Sequence, residues 1–175
     1  MLIRLAIAAL TCAVLTGCAT LNESECRTGD WYGIGLRDGA EGRLTSHLSN
    51  HAKACADYGI APNASLWLAG REDGLVSYCT PGKAYREGRS GRAMRPVCPA
   101  EVAVELDRAN LFGLRYHELS NDIEDAERDL YEIRTALSDL SPEDPAYSTL
   151  LRQKSRTILH IQRLKSRRLR YAVWP

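Results

Sequence analysis

From Phe112 to Leu140 the apolar positions alternate steps of four and three: Phe112, Tyr116, Leu119, Ile123, Ala126, Leu130, Ile133, Leu137 and Leu140. That spacing repeats every seven residues and gathers the apolar side chains on one seam of a helix, the signature of coiled-coil packing. Ser141-Pro142-Glu143-Asp144-Pro145 interrupts it, with Ser141 or Asp144 as a helix cap and proline tolerated in a first turn. Tyr147, Leu151, Ile158, Ile161 and Leu164 then line a second helix. A short connection favours antiparallel neighbours, so an αα-hairpin is expected over 100–175. At 1.5 Å per residue, a helix from Ala100 to Leu140 would be roughly 60 Å long.

Upstream of Pro99 the pattern changes. Leu44 to Tyr58 predicts an amphipathic helix stopped by Gly59, with Leu44, Leu48, Ala52 and Cys55 on one side. Asn63 is a good N-cap for a helix running through Trp67 and Gly74 towards Tyr78, with Pro81 and Gly82 ending it. An internal echo links Trp31-Tyr32-Gly33-Ile34-Gly35 to Trp67-Leu68-Ala69-Gly70, and Tyr85 to Gly91 is a shorter third version. On a helix, glycines three or four apart make a smooth stripe that admits a neighbour's backbone, at a propensity cost of roughly 1 kcal/mol each. Gly33-Ile34-Gly35 does not complete a dinucleotide fingerprint, because Asp38 stands where the third glycine belongs and no apolar strand precedes it.

A third apolar stretch, Leu5 to Val14, opens the chain behind Arg4 and closes on Leu15-Thr16-Gly17-Cys18. This reads as a bacterial lipobox: residues 1–17 form a signal peptide, Cys18 becomes the acylated first residue, and 18–25 form a lipidated tether. The run falls short of the about 20 apolar residues a spanning helix needs. Each buried acyl carbon contributes roughly 0.8 kcal/mol, so the multiple acyl chains of a mature lipoprotein, palmitate among them, would hold the domain without a transmembrane helix. Ala19 stands where an inner-membrane lipoprotein of the enteric type would carry Asp, which favours the outer membrane, facing the periplasm. A tether from Ala19 to Ser24 reaches at most roughly 20 Å and keeps the cysteine-linked module close to the bilayer.

Export changes the meaning of the six cysteines. With Cys12 removed and Cys18 acylated, Cys26, Cys55, Cys79 and Cys98 remain, and in an oxidising compartment they read as two disulfides. Three pairings are open; the leaning is to Cys26 with Cys55 and Cys79 with Cys98, which closes two local loops. His47, His51 and Cys55, at successive steps of four, form a set that suits zinc. That reading needs a reduced Cys55, so disulfide-side histidines with solvating or capping roles are expected instead, with no metal and no cofactor. The chain is therefore expected to be mostly α, a disulfide-linked short-helix module over 26–99 followed by a long antiparallel helical hairpin.

The net charge of +1 argues against a general polyanion binder, and no nucleic-acid partner is expected. It hides an asymmetry. The first long helix carries Glu118, Asp122, Glu124, Asp125, Glu127, Asp129 and Glu132, and the second is basic. Facing flanks of opposite sign set register more than stability, at about 1 kcal/mol or less per exposed pair. Arg163, Lys165, Arg167, Arg168 and Arg170 are expected to return towards the cysteine-linked base, where they are candidate contacts for an anionic headgroup or another envelope polyanion.

The ordered set Cys26, Asp30-Trp31-Tyr32, Gly35, Asp38-Gly39, Gly42, His51, Cys55, Gly59, Gly70-Arg71, Gly74-Leu75, Tyr78-Cys79-Thr80-Pro81, Gly88-Arg89, Gly91 and Val97-Cys98-Pro99 resembles an uncharacterised family of small Gly/Cys-rich bacterial lipoproteins, domain-of-unknown-function family 2799. The resemblance covers Cys26 to Pro99 and continues more loosely into the next helix; Trp67 stands where tyrosine is expected. It implies envelope localisation and conveys no activity, cofactor or catalytic residue.

No nucleophile elbow or metalloprotease helix is present in the sequence. The expected function is that of a membrane-anchored, periplasm-facing lipoprotein with a structural or interaction role, presenting its hairpin to a protein, peptidoglycan or lipid partner. The alternative is an envelope hydrolase using Asp30, Asp38, Glu72 or Asp73 with His47 or His51. Convergence of these groups would favour the enzyme and their dispersal the interaction module.

Overall fold

A computed structural model describes residues 20–175, so the signal-peptide reading, Cys18 and Ala19 lie outside the described residues. Within them the chain forms α1 (Glu23–Thr28), α2 (Trp31–Ala40), a 3-10 turn (Thr45–His47) leading into α3 (Leu48–Ala56), α4 (Ala64–Tyr78), α5 (Pro81–Arg89), α6 (Ala100–Ser138) and α7 (Tyr147–Leu169), with no strand. No helix among the described residues is long and apolar enough to cross a membrane.

Short polar side chains start four of these helices by accepting otherwise orphaned backbone N–H groups. Asn22 and Glu25 form a reciprocal capping box on α1. Asp30, Asn63 and Thr80 cap α2, α4 and α5. Pro81 and Gly82, expected to end α4, instead open α5. The break falls on Cys79-Thr80, and a proline in a first turn sacrifices no helical hydrogen bond. The segment expected as a tether is already folded from Thr20 onward: Leu21 is 2% exposed inside the first core and α1 follows at once.

Two glycine-zipped helix pairs organise the module. Gly35 meets α4 at Trp67 and Arg71, and Gly39 meets it at Arg71 and Gly74, so the numbers rise together and the pair is parallel. Gly70 and Gly74 return the contact at Tyr32 and Leu36; a Cβ at any of the four would overlap the facing backbone. The same device recurs downstream, where Gly88 of α5 meets Asn110 and Leu114 of α6, and Gly113 meets Tyr85 and Arg89. The sequence echo is therefore a packing repeat.

Around the first pair Leu21, Cys26, Trp31, Ile34, Cys55 and Trp67 form one core; around the second, Ala84, Tyr85, Leu106 and Ala109 form another. Disulfides Cys26–Cys55 and Cys79–Cys98 staple them, each closing a loop of a size that typically contributes 2–4 kcal/mol. Glycine packing thus runs past Pro99 into the first third of α6, and one continuous helix serves both the module and the hairpin.

Beyond it, Leu119, Ile123, Ala126 and Leu130 pack on Ile161 and Leu164. Arg168 faces Ser120 and Lys165 faces Glu127, which makes the hairpin antiparallel. Leu151, expected on the seam, is 39% exposed, and its neighbour Leu150 is the more buried of the two. The first heptad position, Phe112, packs on Tyr171 and Trp174 from the end of the chain.

Candidate functional site

Asp38 lies on the α2 face that carries Gly35 and Gly39, three and one positions away, so the turn of the helix sends its carboxylate inward. It is 5% exposed. Trp67 Nε1 on α4 donates to Oδ2 at 2.8 Å, and His51 Nε2 on α3 does so at 2.7 Å. One helical turn before His51, His47 brings its Nε2 to 3.9 Å from Asp38 Oδ1. The outer nitrogens are also engaged: His51 Nδ1 lies 2.9 Å from Thr20 Oγ1, and His47 Nδ1 lies 3.2 Å from the Asn50 amide. One turn after His51, Cys55 joins Cys26.

A buried carboxylate without partners would be costly. Burial pushes the Asp38 pKa up, but the hydrogen bonds from His51 and Trp67 and the attraction of both histidines override it, and the group sits below its ordinary value. Burial lowers the His47 pKa; Asp38 opposes this, while His51, Arg43 and Arg95 add to the depression. Arg71 Nε donates to the Arg43 carbonyl at 2.6 Å. Among the described residues, no buried side-chain nitrogen or oxygen lacks a partner.

Of the residues proposed for zinc, His47 and His51 come together but Cys55 does not join them, because its sulfur is in the disulfide. Asp38 takes its place, and the Asp38, His47 and His51 donor atoms all lie within 4.8 Å of one another. The other acidic candidates are dispersed. Asp30 caps α2, Asp73 accepts the Tyr32 hydroxyl at 2.6 Å, and Glu72 is exposed beside a groove of about 550 Å³ lined by Leu75, Val76, Val97 and Val102. Sequence spacing pointed to the histidines, but missed Trp67 and Thr20 as their company. The available signal was an acidic residue on a glycine stripe.

The basic residues of α7 face the middle of α6, not its Ala100 end, because α7 has 23 residues against 39 in α6. Lys165 pairs with Glu127 at 2.7 Å. Arg168 lies 5.4 Å from the Tyr116 ring centre, and Arg89 lies 4.0 Å from it. Arg163, Arg167 and Arg170 are exposed.

Residues 30–113 match the family described as Protein of unknown function (DUF2799). The matched segment starts at the Asp30 cap and ends at Gly113, so it spans both glycine-zipped pairs and the Asp38, His47, His51 and Trp67 cluster, and stops before the hairpin seam. No curated protein and no solved structure matches the chain.

Proposed function

We propose that this member of the DUF2799 family is a lipid-anchored protein of the bacterial cell envelope with a structural or interaction role, facing the periplasm from the outer membrane. The observation that carries this reading is the adjacency of the Leu15-to-Cys18 lipobox in the sequence to Thr20 and Leu21, which the first core holds. Leu21 is in the core and Thr20 meets His51. An acylated Cys18 would therefore sit two residues from the module and hold it against the headgroups, leaving α6, about 60 Å long at 1.5 Å per residue, to reach a protein or peptidoglycan partner.

Dispersal of Asp30, Glu72 and Asp73 supports this role over the hydrolase. The one arrangement that favours the enzyme is the Thr20–His51–Asp38 hydrogen-bond chain. Its His51 side chain is 2% exposed, and a general base must reach a substrate proton directly or through one water. Its geometry suits a clasp that fixes the start of the domain under the disulfide.

Cys18→Ser tests the anchor. The expected result is loss of fatty-acid labelling and release from the membrane fraction, and labelling at the wild-type level would refute it. Crosslinking in the envelope would then identify what the hairpin contacts.

A further inference from the structure

We infer that Asp38, His47 and His51 form a binding site for one divalent transition-metal ion of the zinc type. The inference does not depend on the lipid anchor. Two imidazoles and a carboxylate are a donor set such ions favour, and three protein ligands leave a fourth position for water.

The donor separations are compatible. Ligand atoms about 2.0 Å from a tetrahedral ion are about 3.3 Å from one another. His51 Nε2 lies 2.7 Å from Asp38 Oδ2 and His47 Nε2 lies 3.9 Å from Oδ1, and one donor atom from each of the three residues lies within 4.8 Å of the others. Small rotations suffice, and the His47 side chain, 17% exposed, provides both the freedom and an entry path.

A second set of contacts surrounds the donors. Metal-binding histidines use their other ring nitrogen to donate to an outer partner, which fixes the tautomer. Here each histidine has a polar side chain at that nitrogen. Thr20 Oγ1 meets His51 Nδ1, and a hydroxyl accepts as readily as it donates. His47 Nδ1 lies 3.2 Å from Asn50 Nδ2, and turning that amide over, which exchanges its nitrogen and oxygen, would give the ring N–H an acceptor. Both Nε2 atoms then turn lone pairs towards Asp38, whose Oδ2 is held by Trp67 Nε1.

Binding is an exchange. The ion replaces the proton between His51 Nε2 and Asp38 Oδ2, the ring keeps its one proton on Nδ1 facing Thr20 Oγ1, and no electron moves. The Cys26–Cys55 disulfide keeps Cys55 out of the coordination sphere, so the site is compatible with an oxidising compartment where a thiolate site would be lost.

The test uses the full chain, purified without reductant and treated with iodoacetamide so that thiols outside the disulfides do not bind metal. Calorimetric titration with Zn²⁺ should give one ion per chain, and Co²⁺ should give the visible absorption of a tetrahedral ion. His47→Ala should weaken Zn²⁺ binding at least 10-fold and abolish the Co²⁺ band with helical circular dichroism unchanged; His160→Ala, at an exposed position on α7, should leave both intact. His47→Gln, close in size, provides the same test should the alanine variant not fold. The absence of saturable Zn²⁺ binding, or wild-type affinity in the folded His47 variant, overturns the site.

Discussion

The Tyr85 hydroxyl donates to the Tyr171 carbonyl 2.6 Å away, tying α5 to the end of the chain across 86 positions. Tyr171 and Trp174 then pack on Phe112, with ring centres 4.8 and 5.4 Å apart. The last residues thus fasten the return helix to the module rather than trailing from it. We predict that Trp174→Ala lowers stability by about 2 kcal/mol, less than for a fully enclosed tryptophan because this one is only half-buried. Tyr85→Phe should cost about 1 kcal/mol. Urea titration followed by circular dichroism measures both, and an unshifted Trp174→Ala midpoint would show that the terminal packing contributes nothing.

The glycine pairs make a contrast that propensity alone would reverse. Alanine favours a helix by roughly 1 kcal/mol over glycine. At Gly39, Gly74 or Gly88 the added methyl would strike facing backbone, which cannot rotate away. Gly39→Ala and Gly88→Ala are therefore expected to lower stability by about 2 kcal/mol or more, in the range of overpacked cores. Gly82→Ala should be neutral or stabilising, since its nearest outside neighbour is the Arg86 guanidinium at 3.6 Å. Equal melting temperatures across the three variants would mean that the helices are not in close contact.

Glu87 bridges Lys83 at 2.9 Å and Arg92 at 2.6 Å, with its side chain 13% exposed. The Arg92 hydrogen bond holds its carboxyl below the ordinary value of 4.5; burial opposes this and Lys83 reinforces it. A carboxyl with a depressed native pKa binds its proton less readily in the folded state, so its contribution is present above 4.5 and is lost as pH falls through the lower native value. Wild type should accordingly be more stable than Glu87→Gln at pH 7, with the gap closing below 4.5. Denaturation midpoints taken across pH 3–7 test this, and a gap independent of pH would assign the stabilisation to packing.

Much of this architecture was written in local pattern. The heptad seam from Leu119 to Ile133, the Asn63 cap and the smooth stripes of Gly35-Gly39 and Gly70-Gly74 each express a period or a backbone requirement that a few neighbouring residues reveal. The site was only half legible. His47, at the end of the 3-10 turn, and His51, on the helix it leads into, announce themselves by spacing, whereas Asp38 reaches them from α2, Trp67 from α4 and Thr20 from before α1. Nothing local predicts which helices a glycine stripe will bring together. The supposed tether misled for a related reason: Thr20 and Leu21 look like linker until the histidine and core that receive them are assembled.

The basic flank of α7 yields the last prediction. Arg163, Arg167 and Arg170 are exposed and form no ion pair among the described residues, while Lys165 is engaged by Glu127 and Arg168 lies against Tyr116 and Ser120. Three unpaired guanidiniums on one short helical stretch would attract an anionic surface by about 1 kcal/mol each when close to it, and salt screens that attraction over about 10 Å at 0.1 M. We predict that a soluble form comprising residues 20–175 binds vesicles containing phosphatidylglycerol in preference to purely zwitterionic ones, and that this preference fades as salt rises. Joint replacement of Arg163, Arg167 and Arg170 by Gln should remove most of the preference. Lys165→Gln should change it little, because that charge is already spent on Glu127. Cosedimentation at two salt concentrations separates the outcomes: binding that ignores both salt and the triple replacement would assign these arginines to solvation and helix pairing.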